Sequence, residues 1–383
     1  MNICKKMAAN LTAKSFLVAT NELCERSVLR FCSTAANKFD MKKERVEFLN
    51  ALPGVIDILA KHPKFQELPV AEDWMRKVLN GNLIGGKNSR GLNAVLAYRM
   101  IESPEKVTEE TMRLARTLGW CAEILQAYCL VLDDIADGSI TRRGMPCWYR
   151  REDVGVPNAI NDVTLIYYSL LQILRANFGN SPNYMDYVHN FNETLFYTSF
   201  GQYLDIMTGL QKKNYNLFTI EHYDAIVKHK SSYYTYKLPL TLGMILANNL
   251  NEETKKNVEE ISLLLGRLFQ MQDDYIDCFG DENLTGKMGS DIQEGKCSWL
   301  AVNALQRCKD NHRAVFMVCY GSKEPAHVER IKQLYVQLKI PQLYKQEEND
   351  IYNNIVQKLK TIPSERERAL YQTVLDDTYG RKR

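Results

Sequence analysis

The sequence predicts an all-α protein, a single large helical-bundle domain over residues 40–383. Apolar residues recur at helical spacing almost throughout this range, and no stretch alternates regularly as a half-buried strand would. No Pro/Ser-rich linker divides the range. The 383 residues are 45% hydrophobic and 25% charged, which suits a globular protein with a substantial core.

The clearest predicted helix covers Glu109 to Asp137. Its apolar stripe runs from Met112 through Leu118 and Leu125 to Leu132, so one face is suited to burial. Proline and glycine mark the joints between helices. Further helices are predicted over 42–60, 158–178, 183–210, 219–229, 234–249, 252–280, 292–309, 325–341 and 349–360.

Composition excludes several classes of protein. The net charge of +3 gives no global basic field for nucleic acid. No uninterrupted apolar run approaches the roughly 18 residues that a membrane span requires. The ten cysteines are scattered without C-x-x-C pairs, which favours a reducing compartment over a disulfide framework.

Residues 1–33 differ from the rest of the chain. They are basic, rich in serine and threonine, and poor in acidic residues, a composition typical of a mitochondrial transit peptide. The stretch Arg30 to Ser33 resembles a processing site. The alternative is a disordered cytosolic extension, and Met41 offers an internal start that would give a cytosolic form.

An apolar run ends in the carboxylates Asp133, Asp134 and Asp137. Residues four apart share a helix face, so Asp133 and Asp137 point the same way, with Asp134 close by. Like charges packed together repel unless a cation lies between them, and Mg²⁺ prefers oxygen ligands and often bridges to phosphate. The motif therefore predicts a magnesium site. Read alone, it also fits a solvated acidic helix end.

A second copy of the pattern makes that alternative less attractive. Asp273, Asp274 and Asp277 follow another apolar run, Ile261 to Phe269. Two helices that each present D-D-x-x-D, facing one another, would clamp a diphosphate through several Mg²⁺ ions.

With these motifs the chain resembles the short-chain trans-prenyltransferases, and most closely the farnesyl diphosphate synthases. Insect-type members are among those that it resembles. The resemblance runs from about Phe48 to the C-terminus. It rests on Gly85–Gly91 (GGKNSRG), both Asp-rich motifs, Thr141–Gly144 (TRRG), Gly201–Gln202, Lys230–Ser231, Gly286–Asp291 (GKMGSD) and the basic C-terminus.

The resemblance implies an isoprenoid synthase fold with a central prenyl pocket, a homodimer, and a substrate-binding role for many of these residues. Isopentenyl diphosphate would be bound by Lys87, Arg90, Gln126, Arg143 and Arg381, and the allylic diphosphate by Arg142. Lys230, Ser231, Gln270, Lys287 and Lys296 would complete the substrate-binding set. The catalytic set would be Asp133, Asp134, Asp137, Lys230, Asp273 and Asp274, with Asp133, Asp137, Asp273, Asp274 and Asp277 holding the Mg²⁺ ions.

The reaction implied is the condensation of isopentenyl diphosphate with dimethylallyl and geranyl diphosphates to give farnesyl diphosphate. Two alternatives remain open. Some insect terpene synthases of this fold ionise a prenyl diphosphate without condensation, and they tend to lose the ligands of isopentenyl diphosphate, which are present here. Non-catalytic subunits of prenyltransferase hetero-oligomers usually lose an Asp-rich motif, and both motifs are intact here.

Several residues depart from the family pattern. Two aromatic residues usually precede the first Asp-rich motif and form the floor of the pocket; here they are Tyr128 and Cys129. Because Cys129 is small, the floor is expected to be more open. Gly81 and Lys237 stand where aromatic residues are common. The residue pattern alone gives no physical account of Lys237.

Overall fold

The computed structural model describes residues 40–60, 63, 67–211, 214–281 and 289–381. The predicted transit peptide, residues 1–33, and the predicted substrate ligand Lys287 lie outside the described residues. Residues Phe48–Arg383 form one compact unit, and the other unit, Met1–Glu47, falls largely on residues that are not described.

The fold is all-α, as predicted. The helices are α1 Met41–Ala60, α2 Pro69–Leu83, α3 Ser89–Ile101, α4 Glu109–Asp137, α5 Gly155–Phe178, α6 Tyr184–Leu210, α7 Ile220–Ile226, α8 Leu238–Leu246, α9 Glu252–Phe279, α10 Asp291–Glu294, α11 Trp299–Arg307, α12 Asp310–Cys319, α13 Pro325–Gln337, α14 Ile340–Leu359 and α15 Glu365–Thr378. Within the described ranges, the strands are limited to a two-residue hairpin, β1 Thr141–Arg142 and β2 Met145–Pro146. No described helix is both long and apolar enough to cross a membrane.

The long helix α4 begins and ends at residues suited to those positions. Thr108 and Thr111 form a capping box that satisfies backbone donors of the first turn, and Glu109 and Glu110 lie favourably near the helix N-terminus. At the other end Gly138 adopts a left-handed conformation (φ 66°), which glycine accepts without strain. The helix therefore ends at Asp137, and the first Asp-rich motif lies at its C-terminal end.

Helices α3 and α4 cross closely because each contributes a glycine. A methyl group at Gly119 would lie 2.6 Å from the carbonyl oxygen of Gly91, and one at Gly91 would lie 2.9 Å from that of Gly119. Phe48 of α1 closes over this crossing, stacks on Trp120 at 4.5 Å between ring centroids, and accepts the indole N–H through its carbonyl.

Between α7 and α8 the chain forms a π-helix, Val227–Lys237, called here the π segment. The sequence predicted helices over 219–229 and 234–249 with a joint between them, whereas the structure continues through the joint with i→i+5 hydrogen bonding. Helical periodicity does not distinguish this wider winding from an α-helix. The helices predicted from the sequence also do not include α2, α3, α12 and α15.

Candidate active site

Three carboxylates meet where α4 ends. Asp133 and Asp137 of α4 and Asp205 of α6 have oxygen atoms that all lie within 4.8 Å of one another. Asp205 is buried, and Asp133 and Asp137 are mostly buried. A hard divalent cation prefers such an oxygen donor set, so these residues fit Mg²⁺.

Two lysines neutralise this acidic cluster from the opposite side. The Nζ atom of Lys230, in the π segment, lies 2.9 Å from Asp133 and 2.6 Å from Asp205. The Nζ atom of Lys296, between α10 and α11, lies 2.9 Å from Asp137 and 2.8 Å from Asp205. Gln202 of α6 adds a hydrogen bond of 3.1 Å to Asp133. Asp205 therefore bridges both lysines.

Charge pairing outweighs burial at both lysines. Burial alone would lower the pKa of Lys230, but the carboxylates of Asp205 and Asp133 raise it well above its usual value. The pKa of Lys296 is raised in the same way, mainly by Asp205. Burial would raise the pKa of Asp205, yet the two ammonium groups lower it. The lysines are therefore charged at neutral pH and are suited to bind an anion.

Glycines allow the π segment to approach its neighbours closely enough to place Lys230. A methyl group at Gly201 of α6 would clash with the backbone of Lys230, and one at Gly266 of α9 would clash with Ser232. The Ser232 hydroxyl donates a hydrogen bond of 3.1 Å to the carbonyl of Val227, five residues earlier. The π segment is thus held tightly between the helices that carry Asp205 and the second Asp-rich motif.

Asp134, the middle carboxylate of the first motif, has a different role from Asp133 and Asp137. Asp134 is 2% exposed and accepts three hydrogen bonds from Arg142 of β1, the shortest at 2.6 Å from Nη2. Arg142 also lies 3.8 Å from Asp133. Burial would lower the pKa of Arg142, but the hydrogen bond and charge of Asp134, together with the charge of Asp133, outweigh it and raise that pKa. Asp134 therefore fixes Arg142 beside the cluster.

The second motif is arranged unlike the first. Asp273 is partly exposed and lies 3.3 Å from Arg381. Asp274 is buried and accepts the backbone N–H of Trp299 at 2.7 Å, and burial raises its pKa to about 7. Asp277 accepts the backbone N–H groups of Ser290 and Asp291. Among the described residues these three form no cluster like that of Asp133, so their role as metal ligands stays a prediction.

Hydrogen bonds connect the π segment to the second motif. The Ser231 hydroxyl donates to Gln270 Oε1 at 2.7 Å, and Gln270 Nε2 donates to Asp274 at 2.9 Å. The predicted ligands Ser231 and Gln270 are therefore brought together with Asp274. Because Ser231 directly follows Lys230 in the π segment, these hydrogen bonds also connect Lys230 to the second motif.

Of the predicted ligands of isopentenyl diphosphate, Lys87, Arg90 and Arg143 are placed around α3 and the hairpin, whereas Gln126 belongs to α4. Arg90 is buried, donates to Tyr234 and Thr235 at 2.9 and 2.8 Å, and keeps its Nε without a hydrogen-bond partner. Arg143 donates to the carbonyls of Asn82 and Ile84, and burial lowers its pKa. Lys87 is exposed and Gln126 is half-buried.

Arg142 and Arg143 also line a cavity of about 290 Å³ between β1–β2 and the loop of Gly85. Arg151 lies in the same wall, where it stacks on Trp148 with 4.6 Å between the guanidinium carbon and the ring centroid. Guanidinium groups around a cavity suit a phosphate group. This cavity continues the cationic side of the site.

A model of the polyprenyl synthetase family matches residues 72–338. The chain belongs to this family. The farnesyl pyrophosphate synthase of Murgantia histrionica is 39% identical over 342 residues, which cover 89% of this chain and 83% of the relative. That of Bos taurus is 37% identical over 346 residues, covering 89% and 97%.

Solved structures with a similar fold are of the same kind of enzyme as the sequence relatives. The farnesyl diphosphate synthase of T. brucei, solved as a complex with risedronate, superposes with a TM-score of 0.84 at 31% identity, covering 89% of this chain and all of that one. The fold is therefore the all-α fold of these synthases, and the comparisons support a farnesyl diphosphate synthase enzyme.

Two departures of this polyprenyl synthetase chain now have a physical account. A methyl group at Gly81 would clash with Trp148, so the Trp148 ring occupies the space that a side chain at position 81 would need. Lys237 ends the π segment, lies 3.1 Å from Glu259 of α9, and is placed over the Tyr233 ring at 5.0 Å. It therefore ties the π segment to α9.

The predicted floor residues point in different directions. Cys129 precedes Asp133 by four residues on α4, so the two side chains share a helix face, and burial raises the pKa of Cys129 to about 12. Tyr128 is half-buried, and its ring centroid is 5.7 Å from that of Tyr167 in α5.

The predicted metal and substrate ligands do not include Asp205, although it is the carboxylate that both lysines share. One signal was available. Gln202 and Asp205 are polar residues three apart on a helix crowded with aromatic residues, and such polar groups require partners when they are buried. Tyr234 and Thr235, which hold Arg90, lie four and five residues after Lys230 in the π segment.

Proposed function

We propose that this chain is a Mg²⁺-dependent farnesyl diphosphate synthase, which condenses isopentenyl diphosphate with dimethylallyl and geranyl diphosphates. The cluster of Asp133, Asp137 and Asp205, faced by Lys230 and Lys296, is the observation that carries the proposal. Its oxygen donors suit Mg²⁺, and its ammonium groups suit the diphosphate that Mg²⁺ would bridge. Bound there, Mg²⁺ supplies positive charge that favours departure of the diphosphate.

The chain's own side chains support each step. Lys230, Lys296 and Arg142 bind the allylic diphosphate and stabilise its negative charge as the carbon–oxygen bond breaks and the electron pair leaves with oxygen. Tyr234 belongs to the π segment, and its ring stacks on Arg90 at 4.4 Å. Aromatic groups there favour a carbocation and exclude water.

Arg90 and Arg143 hold isopentenyl diphosphate, and the Nε atom of Arg90 is a buried donor available to one of its oxygens. The double bond of isopentenyl diphosphate then attacks the allylic carbon to form the new carbon–carbon bond. A proton is lost to the departed diphosphate, which restores a double bond. The lysine charges keep that diphosphate in place to accept the proton.

The test is incubation of the purified protein with Mg²⁺, isopentenyl diphosphate and either dimethylallyl or geranyl diphosphate, with analysis of dephosphorylated products. Farnesol from both incubations is expected. Terpene hydrocarbons formed without consumption of isopentenyl diphosphate would instead indicate a terpene synthase. No turnover without a second protein would indicate a non-catalytic subunit.

We also propose a homodimer. Val156 and Ile160 on α5 and Phe196, Phe200 and Tyr203 on α6 are exposed at helical spacing, and Phe196 and Phe200 contact each other at 4.7 Å between ring centroids. An apolar stripe of this kind is typical of an interface. Sedimentation should show a dimer, and Phe200→Glu should give a monomer. Val318→Glu, at an exposed position on α12, is the matched control and should remain dimeric. A monomeric unmodified protein would contradict the proposal.

For the location we propose the mitochondrion, with residues 1–33 as the targeting segment. The support is the basic, hydroxylated and acid-poor composition of that stretch.

A further inference from the structure

Side chains of α4, α5 and α6 form a connected set of contacts between one and two helical turns before Asp133. The Tyr128 ring of α4 contacts the Tyr167 ring of α5, with 5.7 Å between centroids and an interplanar angle of 56°. The Tyr167 hydroxyl donates a hydrogen bond to Oδ1 of Asn192 on α6. Asn192 is itself fixed, because its Nδ2 donates to the carbonyl of Val188 at 2.9 Å.

The position of Tyr128 gives this contact a role in product length. Tyr128 precedes Asp133 by five residues, which corresponds to about 7.5 Å along a helix. A prenyl chain whose diphosphate is held at Asp133 extends in that direction. With Cys129 in place of a second ring, Tyr128 is the aromatic residue left at this level of α4.

One ring blocks a growing chain only if the ring cannot move aside. Tyr167 packs behind Tyr128, and its own ring is prevented from turning by the hydrogen bond to Asn192. The two adjacent tyrosines of α5 differ in this respect: Tyr167 is half-buried, whereas Tyr168 is 57% exposed. Burial raises the pKa of Tyr167, in agreement with its enclosed position.

We propose that Tyr167 is a specificity-determining residue that limits product length by supporting Tyr128, and that Asn192 is a positioning residue acting through Tyr167. This inference rests on the proposed synthase function. It assigns to α5 part of a task that the sequence pattern places on α4 alone. Removal of the Tyr167 ring opens a space comparable to one five-carbon unit, into which Tyr128 moves as the chain passes.

The test compares the products of the unmodified protein with those of Tyr167→Ala, Tyr167→Phe, Asn192→Ala and Asn192→Asp, with isopentenyl diphosphate in excess. Tyr167→Ala should shift the main product from fifteen carbons to twenty or more, with kcat/KM for dimethylallyl diphosphate unchanged. Asn192→Ala should give a smaller shift. Asn192→Asp keeps the acceptor and should restore the fifteen-carbon product. Tyr168→Ala is the matched truncation and should not change product length.

The outcomes separate the inference from the function on which it rests. Absence of condensation by the unmodified protein would overturn both. Fifteen-carbon products from the unmodified protein, Tyr167→Ala and Asn192→Ala alike would overturn the inference and leave the function intact. If Tyr167→Ala fails to fold, Asn192→Ala and Tyr167→Phe decide, since both keep the ring and remove its hydrogen bond. An unchanged product length in both would then overturn the inference.

Discussion

Cys129 lies one turn before Asp133 on α4, and the charges of Arg90, Asp133 and Lys230 influence the pKa of its thiol. A small thiol here leaves more room on this face of α4 than an aromatic ring would. The Tyr128 ring packs against Tyr167 of α5, with 5.7 Å between ring centroids.

We predict that Cys129→Phe shifts products towards the ten- or fifteen-carbon chain, because the added ring occupies the space along which the chain grows. The unmodified protein should also accept bulkier allylic substrates than the variant. The measurement is the product distribution of both proteins at matched substrate. Cys308→Phe introduces the same ring after α11 and is the control. Identical distributions would mean that the Cys129 side chain packs against another helix and that other residues set chain length.

The two Asp-rich motifs offer a second test at single residues. Asp133→Ala removes a carboxylate from the cluster and leaves Lys230 paired with Asp205 alone, whereas Asp273→Ala removes a partner of Arg381. We expect each to lower kcat by about 100-fold or more, the scale of losing one electrostatic stabiliser of a transition state. Chelation should abolish turnover, and Mg²⁺ should restore it.

Asp350→Ala, at an exposed position on α14, is the control and should behave as the unmodified protein. Full activity of Asp133→Ala would refute the metal cluster. Full activity of Asp273→Ala alone would limit the metal site to α4 and α6 and remove the second motif from it.

The crossing of α3 and α4 depends on the absence of side chains at Gly91 and Gly119. Because α3 carries Arg90 and α4 carries the first Asp-rich motif, this crossing sets the distance between two parts of the site. Glu123 of α4 strengthens it by accepting the backbone N–H of Gly91 at 2.8 Å.

Gly91→Ala should lower the free energy of unfolding by about 1–3 kcal/mol, the usual cost of overpacking a tight core. It should also raise KM for isopentenyl diphosphate, since Arg90 moves with the helix. Gly54→Ala on α1 is the matched control, because a methyl group there meets nothing within 4 Å. That variant should gain roughly 0.5–1 kcal/mol through lower chain entropy. Chemical denaturation measures both, and equal stabilities of the two variants would disprove the close crossing.

The π segment shows how an element can escape prediction. Its residues read as the end of one helix and the start of another, and no residue pattern marks an i→i+5 ladder. The wider winding occurs where Gly201 and Gly266 allow α6 and α9 to pack closely against the π segment from two sides. It also places Lys230 next to carboxylates that are 97 and 25 residues away in sequence.

For the chain considered in full, we predict that residues 1–33 direct a fluorescent fusion to mitochondria, because an excess of basic over acidic residues favours import. A fusion that begins at Met41 should remain in the cytosol. Replacing the basic residues of 1–33 by glutamine is the matched control and should abolish import. A full-length fusion found in the cytosol would favour a disordered extension.

The sequence by itself determined the all-α class, the two Asp-rich helix ends, and the family, since these depend on local periodicity and on short motifs. The same is true of the caps of α4, where Thr108 and Gly138 satisfy local backbone requirements. Only the tertiary structure decided that Asp205 completes the acidic cluster, that Asp134 serves Arg142, and that Tyr167 stands behind Tyr128. The physical reason is that these contacts join residues on different helices. Their distances are set by helix packing, including the glycine contacts at Gly91, Gly201 and Gly266, and not by the spacing of residues along the chain.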